Sequence, residues 1–199
     1  MEKITKITGR GVALERSDVD TDQIIPSDWL KRVERTGFGD GLFQQWREDP
    51  SFVLNDDAYS GASILVAGPN FGTGSSREHA VWALVDYGFK AVVSPKFGDI
   101  FYNNSTKAGL VPVVAPLEAV NALQAAIKED PSIEISVDIQ GLRLSCPAAA
   151  VDVEFPMNEF TRYRLIEGLD DIGLSLRYAA DIEAYESARM PWLPSLPQV

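Results

Sequence analysis

Histidine and cysteine are nearly missing from this chain: His79 and Cys146 are the single examples of each in 199 residues. A lone cysteine excludes an intrachain disulfide. One thiol and one imidazole do not furnish a self-contained zinc site or an all-cysteine iron–sulfur cluster, so no metal ligand is nominated here. Cys146 lies beside Pro147 among small residues and reads as a buried structural residue, since free cysteines pack as small hydrophobes. Basic charge is scarce as well. Lys plus Arg number 18 against 29 Asp plus Glu, a net charge of −11. That balance argues against nucleic acid or an anionic membrane as a partner. An anionic substrate must then be drawn in by a local positive site, not by the global field. No apolar run reaches the roughly 18 residues that a membrane span needs. The charged start, Met1 to Lys6, lacks the apolar core of a signal peptide, which makes the cytoplasm the expected compartment.

What is present is an ordinary globular composition, 45% hydrophobic. The length suits one domain, taken over residues 1–190, followed by a tail at 191–199 punctuated by Pro191, Pro194 and Pro197. Ile4 to Leu14 reads as strand, glycine turn, strand. Asp20, Thr21 and Asp22 read as turn formers that shape their surroundings. Ser27 to Glu34 is a short helix candidate capped by Ser27. Lys31, Arg32 and Arg35 then gather positive charge in an acidic chain, and Gly37, Gly39 and Gly41 predict mobility. A solvated basic loop and a flap over an anionic substrate both account for that segment. Ile64 to Ala67, Ala91 to Ser94 and Val111 to Val114 are apolar runs alternating with helical patterns. That alternation predicts an α/β protein, with a mostly parallel sheet and flanking helices. Ile133 to Ile139, Leu142 to Ser145 and Val151 to Phe155 add an antiparallel hairpin portion. Helices are expected at 117–128, 158–167 and 171–189.

The chain is organised around Asn70-Phe71-Gly72-Thr73-Gly74-Ser75-Ser76-Arg77-Glu78-His79, between a strand and a helix. The glycines let the backbone approach a ligand closely. Ser75 followed by Glu78 has capping-box spacing, which predicts a helix beginning at Ser75 or Ser76. A helix start favours an anion, and Arg77 adds a donor fork matched to carboxylate or phosphate. Arg77 stands where a dinucleotide fingerprint needs its third glycine, and no Gly-Lys-Ser/Thr closes a phosphate loop. A small carboxylate fits best. A plain strand–turn–helix with a good cap accounts for the same residues, and His79 reads equally as a packing residue or a catalytic one.

This stretch closely resembles the signature of the swivelling domain of the aconitase superfamily. Together with Val19 to Pro26, Arg35 to Gly39 and Ile166 to Leu174, it resembles more narrowly the small-subunit family of bacterial 3-isopropylmalate dehydratases. The resemblance runs from Gly9 to about Ala188. It implies an aconitase-type swivelling fold. It implies a hydro-lyase subunit that acts in leucine biosynthesis, interconverting 2- and 3-isopropylmalate through an enoate. The implied cofactor, a 4Fe-4S cluster, sits in a separate large subunit, the partner in a heterodimer. By resemblance Ser75 matches the serine alkoxide base and Arg77 the carboxylate-binding arginine. Gly74 and Ser76 complete the small-dicarboxylate pocket. The segment holding Leu30, Lys31, Arg32, Arg35 and Thr36 corresponds to the loop that governs substrate specificity. Subunits acting on citraconate, 2-methylmalate or homoaconitate share the pattern, and a non-catalytic anion-binding module is the rival of a different class.

Overall fold

The computed structural model describes residues 1–32, 36–74, 77–190 and 192. Strand β1 (Lys6–Leu14) leads to α1 (Thr21–Ile24), 3-10 turns at Ser27–Lys31 and Phe38–Gly41, and α2 (Gln44–Arg47). Next come β2 (Ile64–Ala67), α3 (His79–Tyr87), β3 (Ala91–Ser94), α4 (Asp99–Ala108), β4 (Val111–Val114) and α5 (Leu117–Glu129). The chain continues through β5 (Glu134–Asp138), β6 (Arg143–Cys146), β7 (Val151–Glu154), α6 (Glu159–Glu167), α7 (Asp171–Leu176) and α8 (Ala179–Ser187). These strands form one sheet in the order β4-β3-β2-β1-β5-β6-β7. The first four in that order are parallel, and β5, β6 and β7 join antiparallel beyond β1. The α/β class and the mixed sheet agree with the sequence reading.

One difference lies in β1, which is a single strand instead of two joined by a glycine turn. Its first half, Lys6–Arg10, pairs with β5, and Gly11–Leu14 pairs with β2. Tertiary neighbours account for a glycine at the changeover: a Cβ on Gly11 would lie 2.7 Å from Ile135 Cδ1 and 2.8 Å from Ile127 Cδ1. The antiparallel portion therefore shares the sheet with the parallel portion through β1.

Both faces of the parallel half are covered, so its strands are apolar without interruption. Side chains alternate across the sheet. Val12, Leu14, Leu65, Ala67 and Val92 face the core formed with α3 and the aromatic residues before β2. Ala13, Ile64, Val66, Val93 and Val113 face Val120, Leu123 and Ile127 of α5. Cys146 is fully buried in this second core, as expected for a packing residue. Gln124 is the buried polar member of α5. Its Nε2 donates to Val66 O (3.1 Å) and Leu14 O (3.3 Å), bracing the last turns of β2 and β1 where their loops depart.

The expected helix from Ser27 is a 3-10 turn instead, with Pro26 at the cap position and no side-chain cap bond. The glycine-rich segment after it is docked from Phe38 onward, contrary to the mobility expected there. Phe38 is fully buried, and its N–H donates to Asp86 Oδ2 of α3 at 2.9 Å. Gly39 lies against the α3 backbone, where a Cβ would sit 2.9 Å from Tyr87 N. Replacing Phe38 by alanine is expected to cost about 3–5 kcal/mol, the usual loss for a buried aromatic side chain, read as a lower urea midpoint. The close pairing expected of Phe43 and Trp46 is present: the rings stack at 5.1 Å.

The last expected helix divides at Arg177–Tyr178 into α7 and α8. Every residue of α8 is exposed, and Tyr178, Ile182, Tyr185 and Trp192 present rings or aliphatic groups to solvent. Deleting residues 177–199 is expected to move the melting temperature of the remaining chain by no more than about 3 °C in a calorimetric scan, because little core is removed. Among the described residues, no helix is long and apolar enough to cross a membrane.

Candidate active site

Three loops leave the carboxyl ends of β1, β2 and β3 side by side, the edge where open parallel sheets bind ligands. The loop after β2 carries Gly68 to Arg77 and is stitched to both neighbours. On one side Gly72 N donates to Val19 O (2.8 Å), Thr73 N to Val19 O (3.2 Å) and Thr21 N to Thr73 O (3.0 Å). On the other, Phe71 N donates to Lys96 O (3.0 Å) and Gly98 N to Phe71 O (2.9 Å). Ser94, wholly buried, places its hydroxyl 2.8 Å from the carbonyl oxygens of both Gly68 and Lys96. Below the loop, Phe71 packs edge-on to Phe101 at 5.3 Å and to Phe97 at 6.4 Å. Gly72 and Gly74 both adopt left-handed φ, +74° and +92°. The loop is thus a braced turn whose path only glycine follows without strain.

The acidic turn after β1 has the architectural role expected of it, in a specific form. Asp20 and Gln23 make a reciprocal capping box on α1: Gln23 N donates to Asp20 Oδ1 (2.8 Å) and Asp20 N to Gln23 Oε1 (3.0 Å). Asp20 also forms a parallel bridge with Thr73. This fixes α1 beside the glycine loop and sets Asp22 against Arg77, whose Nη1 forms an ion pair with Asp22 Oδ1. The sequence reading missed that pair. The Asp-x-x-Gln spacing was the available signal for the cap, but nothing local pointed from Asp22 to Arg77.

The capping box expected at Ser75 and Glu78 is corrected at its far end. Helix α3 begins at His79, and Glu78 sits at the cap position with αR backbone angles and no side-chain cap bond. Ser75 and Ser76 lie outside the described residues, as does Arg35. Gly74 lies beside the acidic turn, with the position of a Cβ on it 3.4 Å from Asp20 Cβ. Arg77 is brought to the same place by its pair with Asp22. His79 packs in an aromatic group, 5.3 Å from Phe38 and 4.6 Å from Trp82 between ring centroids. Of the segment considered for specificity, Lys31 pairs with Asp28 at 2.9 Å and Arg32 lies 3.9 Å over the Trp29 ring. Leu30 belongs to the same 3-10 turn as Lys31, and Thr36 is exposed just before Gly37. Phe38 ties the end of this segment to the start of α3, so the loop closes back beside the site.

The donor set here does not fit an iron–sulfur cluster. Cys146 is enclosed in the second core and His79 is stacked among aromatic rings. Among the described residues no group of three or more His, Cys, Asp or Glu side chains is placed to hold a metal. What the site offers is backbone amides and a guanidinium, the chemistry of carboxylate binding.

Comparison with known proteins gives the class first. Residues 1–118 match the aconitase C-terminal domain family. Residues 171–196 match the C-terminal domain of the 3-isopropylmalate dehydratase small subunit. The 3-isopropylmalate dehydratase small subunit of a Parafrankia species is 61% identical over 195 residues, 98% of this chain and 99% of that protein. That of Frankia alni is 60% identical over 98% of this chain and 99% of its own length. A crystal structure of 3-isopropylmalate dehydratase from Methanocaldococcus jannaschii superposes with a TM-score of 0.65 at 25% identity, covering 91% of this chain and 99% of that one. The chain belongs to the 3-isopropylmalate dehydratase small-subunit family, and is accordingly a hydro-lyase subunit.

Proposed function

We propose that this chain, with a separate large subunit, interconverts 2-isopropylmalate and 3-isopropylmalate in leucine biosynthesis, by dehydration to an enoate and rehydration in the other sense. The observation that carries the reading is the braced Gly72–Gly74 loop at the carboxyl edge of the sheet, presenting Arg77 beside it. The relatives' names supply the substrate. The 4Fe-4S cluster belongs to the large subunit in this reading, since this chain's own donors do not fit one. Residues 1–190 act as a single swivelling domain, with 191–199 as a tail, and the pair works as a heterodimer in the cytoplasm.

This chain's share of the chemistry is proton transfer and substrate orientation. Moving a hydroxyl between adjacent carbons requires removal of a weakly acidic C–H proton. Ser75 takes that proton. A serine hydroxyl is barely ionised at neutral pH, so its alkoxide depends on nearby positive charge and amide donors. Arg77 holds a substrate carboxylate and stabilises the alkoxide, and Gly74 and Ser76 complete the anion pocket. The segment from Leu30 to Thr36, with Lys31, Arg32 and Arg35, screens the substrate's side chain. Held in this way, the reacting carbon stays within reach of the base, which is where much of an enzyme's rate advantage originates.

The test is anaerobic mixing of this chain with its cluster-bearing large subunit, following enoate absorbance with 2-isopropylmalate. Turnover by the mixture and by neither chain alone is the expected result. A complex that forms but acts only on citraconate or homoaconitate would overturn the substrate. Failure of a demonstrably clustered partner to bind would overturn the two-subunit reading.

A further inference from the structure

We infer that Asp22 is an internal carboxylate that occupies Arg77 until a substrate carboxylate displaces it, so that Asp22 tunes the affinity of the site for dicarboxylates. The inference rests on Arg77 being the carboxylate binder. The Arg77 side chain is only 24% exposed, whereas its partner Asp22 is 57% exposed. The guanidinium is therefore largely withdrawn from water and would lack a counter-charge without a carboxylate. The neighbouring acid cannot serve: Asp20 spends its carboxylate on the α1 cap, accepting from Gln23 N at 2.8 Å. Asp22 thus makes at Arg77 the kind of contact that a substrate carboxylate would make.

Displacement is physically available. Ion pairs with this much exposure are weak, because water competes for both partners. The α1 backbone does not have to move. It is held by the Asp20–Gln23 box, by Thr21 N on Thr73 O at 3.0 Å, and by the fully buried Ile24 and Ile25. Only the Asp22 side chain has to rotate out into solvent. A dianion entering the site also favours that rotation, since like charges repel more strongly where the protein lowers the dielectric. The arrangement keeps Arg77 aligned when the site is empty, and it sets a threshold that a weak anion does not cross.

Malonate, a dicarboxylate with no hydroxyl to lose, separates binding from turnover. Its binding to the assembled two-subunit complex is measured by titration calorimetry for four forms: unaltered, Asp22→Asn, Arg77→Ala and the double substitution. Removing the competitor in Asp22→Asn is expected to tighten malonate binding by about two- to fivefold, the range that weak exposed pairs support. The KM for 2-isopropylmalate should fall by a similar factor. Arg77→Ala should weaken malonate binding at least tenfold, and adding Asp22→Asn to it should then change nothing. Binding that is weaker or unaltered in Asp22→Asn overturns the inference. So does a gain that persists without Arg77, because it would reflect only the loss of a negative charge. If Arg77→Ala binds malonate as tightly as the unaltered complex, the assignment of Arg77 itself falls.

Discussion

Replacing Ser75 by alanine in the assembled enzyme should lower kcat by roughly 10²–10⁴-fold, the range that a positioned general base contributes, with little change in KM. The split follows from the proposed roles. Alanine removes the proton acceptor but leaves Arg77 and the loop amides to hold the carboxylate, so the ground-state complex survives and the barrier rises. Arg77 should behave differently. Arg77→Lys retains a positive charge but loses the planar fork that matches a carboxylate at two points. It should raise KM and lower kcat together, because the guanidinium both holds the substrate and stabilises the alkoxide. Steady-state kinetics on the two variants, with complex formation verified for each, therefore give two distinct patterns. Turnover retained in Ser75→Ala would remove Ser75 as the base. A Ser75→Ala enzyme that loses affinity for substrate and not rate would make the serine a binding group.

The parallel half of the fold was legible because its rules are local. Strands covered on both faces are apolar throughout, and Gly88 and Gly109 end α3 and α4 in left-handed conformations, as glycines after helices commonly do. The family was legible because several motifs occur in order. What local rules missed depends on residues distant in the chain. Gly9 and Gly11 resembled a turn, yet β1 passes straight through them, and the crowding by Ile127 and Ile135 that selects Gly11 belongs to α5 and β5. Ser75 and Glu78 have the spacing of a capping box, and so do Asp20 and Gln23. Only the second pair is seen to make the bonds, because only there does an extended residue precede the helix. Phe38 stood in a glycine-rich segment that implied mobility, but one aromatic side chain in the core with a backbone bond to Asp86 outweighs the freedom of its neighbours. The Asp22–Arg77 pair had no sequence signal at all, since it exists only once β1 and β2 lie side by side.

Gly72→Ala should be the most damaging single methyl group that can be added near the site. Two separate penalties meet there. The residue has φ +74°, and a non-glycine residue in the left-handed region costs about 1–2 kcal/mol. The new Cβ would also fall 2.6 Å from Cβ of Phe101, itself buried and packed against Phe71 and Phe97. Forcing atoms into a filled core typically costs about 1–3 kcal/mol. The combined loss of roughly 2–5 kcal/mol is a large share of the 5–15 kcal/mol that stabilises an ordinary domain. Gly88→Ala supplies the control: φ there is +116°, but nothing lies within 4 Å of its added Cβ, so only the backbone penalty applies. Urea denaturation of the two variants should show Gly72→Ala as the less stable by at least about 1 kcal/mol, the overpacking part alone. Relief of that clash requires Phe101 or the loop to shift. A loop shift would pull on the bonds from Gly72 N and Thr73 N to Val19 O that align it with the Asp22 turn. Because misplacement by 1 Å can cost about 10²-fold in rate, turnover should suffer even at temperatures where the variant is folded. Phe101→Leu, introduced beside Gly72→Ala, should recover part of the stability by opening space. Equal stability of the Gly72→Ala and Gly88→Ala variants would mean that Phe101 yields without cost, and that the aromatic packing beneath the loop does not hold its position.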